Sequence, residues 1–124
     1  MIKVILFDLW KTLGDKPSAS EALRKKFNIK KHDGFLHEYE VADHLKRYES
    51  LESMAKHVYK YFNIPITKET IKWFAAEKKY SYSNAKVYAG IPNLLSDLSK
   101  DCKLVLISNT NNFDIKVLDK WGIR

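Results

Sequence analysis

Two short apolar runs, each giving way to acidic or small polar residues, constrain this chain most. Residues 2–7 are a β-branched, near-continuous apolar run, continuing as Phe7-Asp8-Leu9-Trp10-Lys11-Thr12-Leu13. A run without polar alternation predicts a strand covered on both faces, as in the parallel sheet of an α/β fold. Residues 103–107 repeat the design and continue as Ser108-Asn109-Thr110. Ligands bind at the carboxyl ends of strands in open α/β sheets. An Asp and a Ser/Asn pair delivered to one edge are therefore the first candidates for a site. Taken alone, Asp8 also reads as a strand-end turn residue, a common place for Asp. The second run weighs against that.

The residues between the runs read as helices. Ser18 with Glu21 fits a capping box for a helix reaching Phe27. Asp33 or Gly34 opens a helical region to about Phe62, with a break near Ser50. Its apolar stripe is Leu36, Tyr39, Ala42 or Asp43, Leu45 and Tyr48, then Leu51, Met54, Val58, Tyr61 and Phe62. Thr67 can cap a helix through Tyr82, with Ile71, Phe74, Ala75 and Lys78 on one side. These stripes predict the core of a small helical bundle, not a cofactor box. Gly90-Ile91-Pro92 opens a further helix with proline in its first turn, and Leu94, Leu95 and Leu98 are expected to face the sheet. A last helix over 112–121 turns Val117, Leu118 and Trp121 inward, with Gly122 at a C-terminal position that tolerates positive φ. The expected fold is α/β: an incomplete Rossmann-like parallel-sheet core (1–14 and 87–124) interrupted by a helical insertion (15–86).

Composition narrows the function classes. No run approaches the 18 or so apolar residues of a membrane span, and a cytoplasmic protein is expected. Cys102 is the only cysteine, which excludes an internal disulfide and a multi-thiolate metal site. It reads as a small packed side chain. The net charge is +7, and residues 15–86 hold 15 Lys/Arg against 10 Asp/Glu. Lysines outnumber arginines 19 to 3. Arginine is the side chain suited to bidentate recognition, so the excess reads as a solvated helical surface or a field drawing in small anions, not as a nucleic-acid interface. His37 and His44 are seven apart with Glu40 between them. Without further convergent ligands they read as surface or packing histidines.

These residues resemble the haloacid dehalogenase-like (HAD) hydrolase superfamily. Asp8 and Thr12 match its first motif, a strand ending in Asp-x-x-x-Thr. Ser108-Asn109 match its second, an apolar strand ending in Ser or Thr. Residues 87–95 look like its return from cap to core, and the insertion is similar to its α-helical cap. The resemblance implies that Asp8 is a nucleophile forming a covalent aspartyl intermediate. It implies that Thr12 supports the turn, and that Ser108 and Asn109 hold phosphoryl oxygens or a leaving halide.

Trp10 stands where the phosphatase branch has a second aspartate acting as acid and base. Indole cannot exchange a proton near neutral pH. The dehalogenase branch carries an aromatic residue there, and halide leaves without protonation. The expectation is therefore a dehalogenase-like or phosphatase-like hydrolase of a small anionic substrate, with Trp10 against the substrate. No cofactor is expected in the first case. Magnesium is expected in the second, on the Asp8 carboxylate and the Trp10 backbone carbonyl. Lys11 replaces the family's usual glycine, at a cost of roughly 1–2 kcal/mol if left-handed geometry is required. Neither Arg24 nor Arg47 aligns with the arginine that holds carboxylate in the dehalogenase branch. The family's third and fourth motifs have no counterpart before Arg124. An open edge on the first strand is therefore expected, pairing in a homodimer or with a separate C-terminal polypeptide. A catalytically inactive binding module of the same fold is the alternative.

Overall fold

The computed structural model describes residues 1–123. In chain order the elements are β1 (Val4–Phe7), β2 (Gly14–Asp15), α1 (Ala19–Lys26), α2 (Phe35–Asp43), α3 (Leu51–Tyr61), α4 (Lys68–Asn84), β3 (Lys86–Val87), α5 (Ile91–Leu98), β4 (Lys103–Leu106), a 3₁₀ turn (Asp114–Lys116) and α6 (Val117–Trp121). This is a mixed α/β fold in which β1 and β4 pair in parallel from Val4↔Lys103 to Phe7↔Leu106. The ladder continues at both ends, with Lys103 donating to Lys3 O (2.8 Å) and Ile107 to Phe7 O (2.8 Å). Parallel neighbours need a long crossover, which everything between the two runs supplies. No helix among the described residues is long and apolar enough to cross a membrane.

Local chemistry sets the helix boundaries. Ser50 and Thr67 each close a reciprocal capping box, with Ser53 and Thr70 answering in place of the usual Glu or Gln. Ser18 makes only half of the box expected for α1. Its Oγ accepts from Glu21 N (3.2 Å), but the Glu21 carboxylate turns to Arg24. Gly90 (φ +81°) lets the chain turn into α5, and Gly122 (φ +68°) ends α6.

Two apolar clusters result. The larger joins Leu23, Tyr39, Tyr48, Met54, Val58, Tyr59 and Phe74 of the helical layer, where Tyr59 packs edge-on against Phe27 and Phe74. The smaller joins Leu9, Leu13, Ala85 and Val117, with Phe7, Leu95, Leu106 and Trp121 around them. Between the layers lies the pair Gly14↔Val87 and Asp15↔Lys86, where β2 and β3 run antiparallel. Two residues per strand are too few to leave a sequence signal.

Several expectations are corrected. The first run is not covered on both faces: Val4 is 51% and Leu6 60% exposed, while Ile5 and Phe7 are partly buried. A two-stranded sheet gives β1 one neighbour, and its other edge is unpaired among the described residues. The second strand is half-buried, and Ile107 is exposed. On α2 the buried stripe is Phe35, Tyr39 and Ala42 with Asp43; Leu36, like Leu45 beyond the helix, points outward. Leu94 is also exposed, leaving Leu95 to pack on the sheet cluster. The last helix is shorter than expected, because Asn111 holds the preceding residues in a turn.

Candidate active site

The turn after β1 is built around one carbonyl. Leu9 O accepts from Thr12 N (3.3 Å), Leu13 N (2.9 Å) and Gly14 N (3.4 Å), while Lys11 N donates to Gly14 O (2.7 Å). Closing that loop places Lys11 at φ +63°, the left-handed region. The turn buries Leu9 and Leu13 and leaves Asp8 exposed at the strand's end. Thr12 donates from Oγ1 to Asp8 Oδ2 (3.3 Å), fixing the carboxylate's orientation.

β4 brings Ser108 and Asn109 to the same edge, because its register places Leu106 beside Phe7. Asp8, Trp10, Ser108 and Asn109 line one cleft of about 700 Å³, with residues of α1, α2 and the 31–33 loop across from them. The Trp10 indole donates to Thr110 Oγ1 (3.4 Å) and meets Trp121 edge-on (centroids 5.9 Å apart). A separate groove of about 590 Å³ under α5, near Cys102, includes none of these residues. The structure thus brings Asp8, Thr12, Trp10, Ser108 and Asn109 together.

Sequence reasoning missed a charged cluster that meets this cleft at Lys16 and His44. Asp43 ends α2 fully buried, and Asp114 is 8% exposed. Lys78 of α4 bonds Asp43 (3.0 Å) and lies 3.6 Å from Asp114. Lys16 bonds Asp114 (2.6 Å), with its ammonium 4.5 Å from the centre of the Trp10 ring. Asn111 Nδ2 donates to Asp114 (2.9 Å), and His44 Nε2 lies 3.1 Å from Asp43. Burial alone would push both carboxyls up. The Lys78 ammonium outweighs it, aided by His44 at Asp43 and by Lys16 at Asp114, so both are held below the usual carboxylate range. Burial likewise disfavours the charged form of Lys78, and the two carboxylates outweigh that and raise its pKa. Burial and the same carboxylates push the Tyr39 hydroxyl well up.

Asp43, His44 and Asp114 have ligand atoms within 4.8 Å of one another. Two ammonium groups already neutralise them, so the cluster is an ion-pair network and not a cation site. His44 is packed here, while His37 is exposed on α2. The warnings in the sequence were Lys78 on the apolar stripe of α4 and Asp43 at a stripe position of α2. The network spans the two layers, as does Asn112, which accepts from Tyr48 N and donates to Tyr48 O (both 2.9 Å).

No family model matches the chain, and no curated protein does. Solved structures do. One is a HAD-family enzyme from Bacteroides thetaiotaomicron in complex with magnesium and inorganic phosphate, with TM-score 0.57 and 20% identity, covering 97% of this chain and 59% of that one. A second structure of a HAD-family enzyme from that organism gives 0.55 and 18%, covering 96% and 59%. A predicted HAD-like family hydrolase from Porphyromonas gingivalis gives 0.52 and 21%, covering 96% and 55%. The fold is therefore HAD-like, and the chain spans under two thirds of the length of these structures.

Proposed function

We propose that this chain carries the nucleophile half of a HAD-type hydrolase acting on small anionic substrates, with residues 15–86 as its helical cap. The observation that carries the reading is the meeting of Asp8, Thr12, Ser108 and Asn109 at the carboxyl ends of two paired parallel strands, in one cleft beneath a helical layer. Asp8 attacks and becomes the acyl group of a covalent intermediate. Thr12 keeps its carboxylate aimed, and Ser108 and Asn109 donate to the oxygens or the halide on which charge develops. Two chemistries suit the set. A halide, or another leaving group that needs no proton, departs past Trp10 unaided. A phosphate ester calls for magnesium, and one of the similar structures holds magnesium with phosphate. Asp8 is the only carboxylate among the four convergent residues and Thr110. Asp8 and the Trp10 carbonyl are the groups of this chain that would hold the ion, a sparse set of the kind magnesium completes with waters. The ion would supply charge neutralisation at the phosphoryl group.

The test compares this chain with Asp8→Asn on p-nitrophenyl phosphate, with and without magnesium, and on 2-chloropropionate. The substitution is expected to cost on the order of a thousand-fold or more in turnover. Dependence on magnesium assigns the phosphatase chemistry, and metal-free chloride release the dehalogenase chemistry. Turnover surviving Asp8→Asn refutes the nucleophile.

A second reading rests on the edge of β1 that is unpaired among the described residues and on the exposed Ile2, Val4 and Leu6. It makes the chain a binding module that adds a strand from a second copy or another polypeptide. Association unaffected by Asp8→Asn, with no turnover, would favour it.

A further inference from the structure

The turn after β1 requires a left-handed residue at position 11, and the chain puts a lysine there. Leu9 O draws in the amides of Thr12, Leu13 and Gly14, and Lys11 N closes onto Gly14 O. The result is φ +63° at Lys11. Glycine meets that conformation freely and asparagine tolerates it, while other residues with a Cβ are disfavoured. Elsewhere the fold follows this rule. The other described positions of positive φ are Asn28, Asn63, Gly90 and Gly122, each beside a helix end. Lys11 alone among the described residues departs from it. A residue kept in a costly conformation beside a candidate nucleophile points to a use for its side chain.

Its place supplies the use. Lys11 is exposed and lines the same cleft as Asp8, Ser108 and Asn109. It stands three residues after Asp8, on the turn that presents that carboxylate. Lys16 also lines the cleft, but its ammonium is bonded to Asp114 (2.6 Å). Lys31 belongs to the opposite wall. Thr12 orients Asp8 with a neutral hydroxyl, and Ser108 and Asn109 are neutral donors. An anion approaching the Asp8 carboxylate meets like charge at short range. An ammonium on the nucleophile's own turn offsets that repulsion. The group that gains most is one whose negative charge sits on the reacting atom's own oxygens, a phosphoryl group.

We infer that Lys11 is a substrate-binding residue of the proposed hydrolase, and that its ammonium holds the oxygens of a phosphoryl group beside Asp8. The lysine accepts a strained backbone in return for a charge at the reacting centre. This inference narrows the proposed function toward phosphate esters, and it rests on the reading of Asp8, Ser108 and Asn109 as the site.

The test measures binding of inorganic phosphate by titration calorimetry, with magnesium present. The unaltered chain is compared with Lys11→Met, Lys11→Arg, Lys11→Gly and Ser108→Ala. Lys11→Met keeps a Cβ and a long stem, so it removes the charge and leaves the backbone cost. It is expected to weaken binding about five-fold, the worth of one partly exposed charged contact. Lys11→Arg should bind within about two-fold of the unaltered chain, since the charge remains. The loss in Lys11→Met should shrink toward nothing in about 1 M salt, which screens an exposed charge and would not mend a packing defect. Lys11→Gly should bind as weakly as Lys11→Met while unfolding at a higher urea concentration, which separates the charge from the stability of the turn. Phosphate affinity unchanged in Lys11→Met, a loss shared by Lys11→Arg, or a loss undiminished in high salt overturns the role of Lys11. If Ser108→Ala still weakens binding in those cases, the hydrolase reading stands without it. If the unaltered chain binds no phosphate, or Ser108→Ala leaves the affinity unchanged, the anion-holding pair fails and the role of Lys11 falls with it.

Discussion

Asp114→Asn tests whether the buried network joins the two layers. The Asp114 carboxylate accepts from Lys16 and Asn111 and lies near Lys78. The amide is nearly isosteric but neutral. It leaves two sequestered ammonium groups and His44 facing Asp43 alone, and turns a donor toward other donors. Removing one partner of a buried ion pair costs about 3–5 kcal/mol, so about 3 kcal/mol is expected at pH 7, on the order of 10 °C in Tm for a domain this size. The pH dependence gives a second check. The folded pKa of Asp114 is depressed, so its contribution is complete above the unfolded value and is lost as pH falls toward the folded one. The advantage over the variant should thus be constant above about pH 5 and shrink by about 1.4 kcal/mol per unit below about pH 4. Urea unfolding followed by tryptophan fluorescence at pH 7, 4 and 3 measures both. A loss under about 1 kcal/mol at pH 7, or a penalty as large at pH 3 as at pH 7, would refute the reasoning.

Two further substitutions probe the turn that presents Asp8. Lys11→Gly should stabilise the chain by about 1 kcal/mol, since the left-handed backbone at Lys11 disfavours any residue with a Cβ and glycine's greater unfolded freedom offsets part of the gain; an unchanged or lower urea midpoint would contradict it. Gly14→Ala should destabilise by about 2 kcal/mol or more, because a Cβ there would lie 2.5 Å from the Lys86 carbonyl oxygen and against the Trp121 ring. An unchanged thermal midpoint would show that β2 and β3 separate easily.

What the sequence discloses follows from how local each interaction is. Ser50, Thr67, Gly90 and Gly122 act within a few residues of themselves, and each helix boundary they predict lies close to where it is found. Asp8 and Ser108 were legible for another reason. A strand fixes the direction of its own exit, so two parallel strands in register must deliver their end residues to one edge. The ion-pair network has no such signature. Asp43 and Lys78 are 35 residues apart, and nothing near either shows that the other will be opposite. The exposure of Val4 and Leu6 was misread because an apolar run records what can be covered, not whether anything covers it. Phe35 displaced Leu36 from the core for a similar reason: both fit a helical stripe, and only the position of α3 decides between them.

Trp10 connects these observations. At its position a carboxylate would stand close to Lys16 and compete with Asp114 for the ammonium. The neutral ring instead offers its face to Lys16, at 4.5 Å, and leaves the lysine's hydrogen bond to Asp114. The same indole donates to Thr110 Oγ1, two residues beyond Ser108, and makes a T-shaped contact with Trp121 of α6. One side chain thereby belongs to the turn that follows Asp8 and touches the loop that follows Ser108 and the lysine that ties the helical layer to the core. A neutral ring at this position puts no acid there and supplies a rigid junction. A site arranged in this way can hold its groups closely in place, but Trp10 supplies no proton there, so any reaction in the cleft needs a leaving group that departs unprotonated or a water that gives the proton.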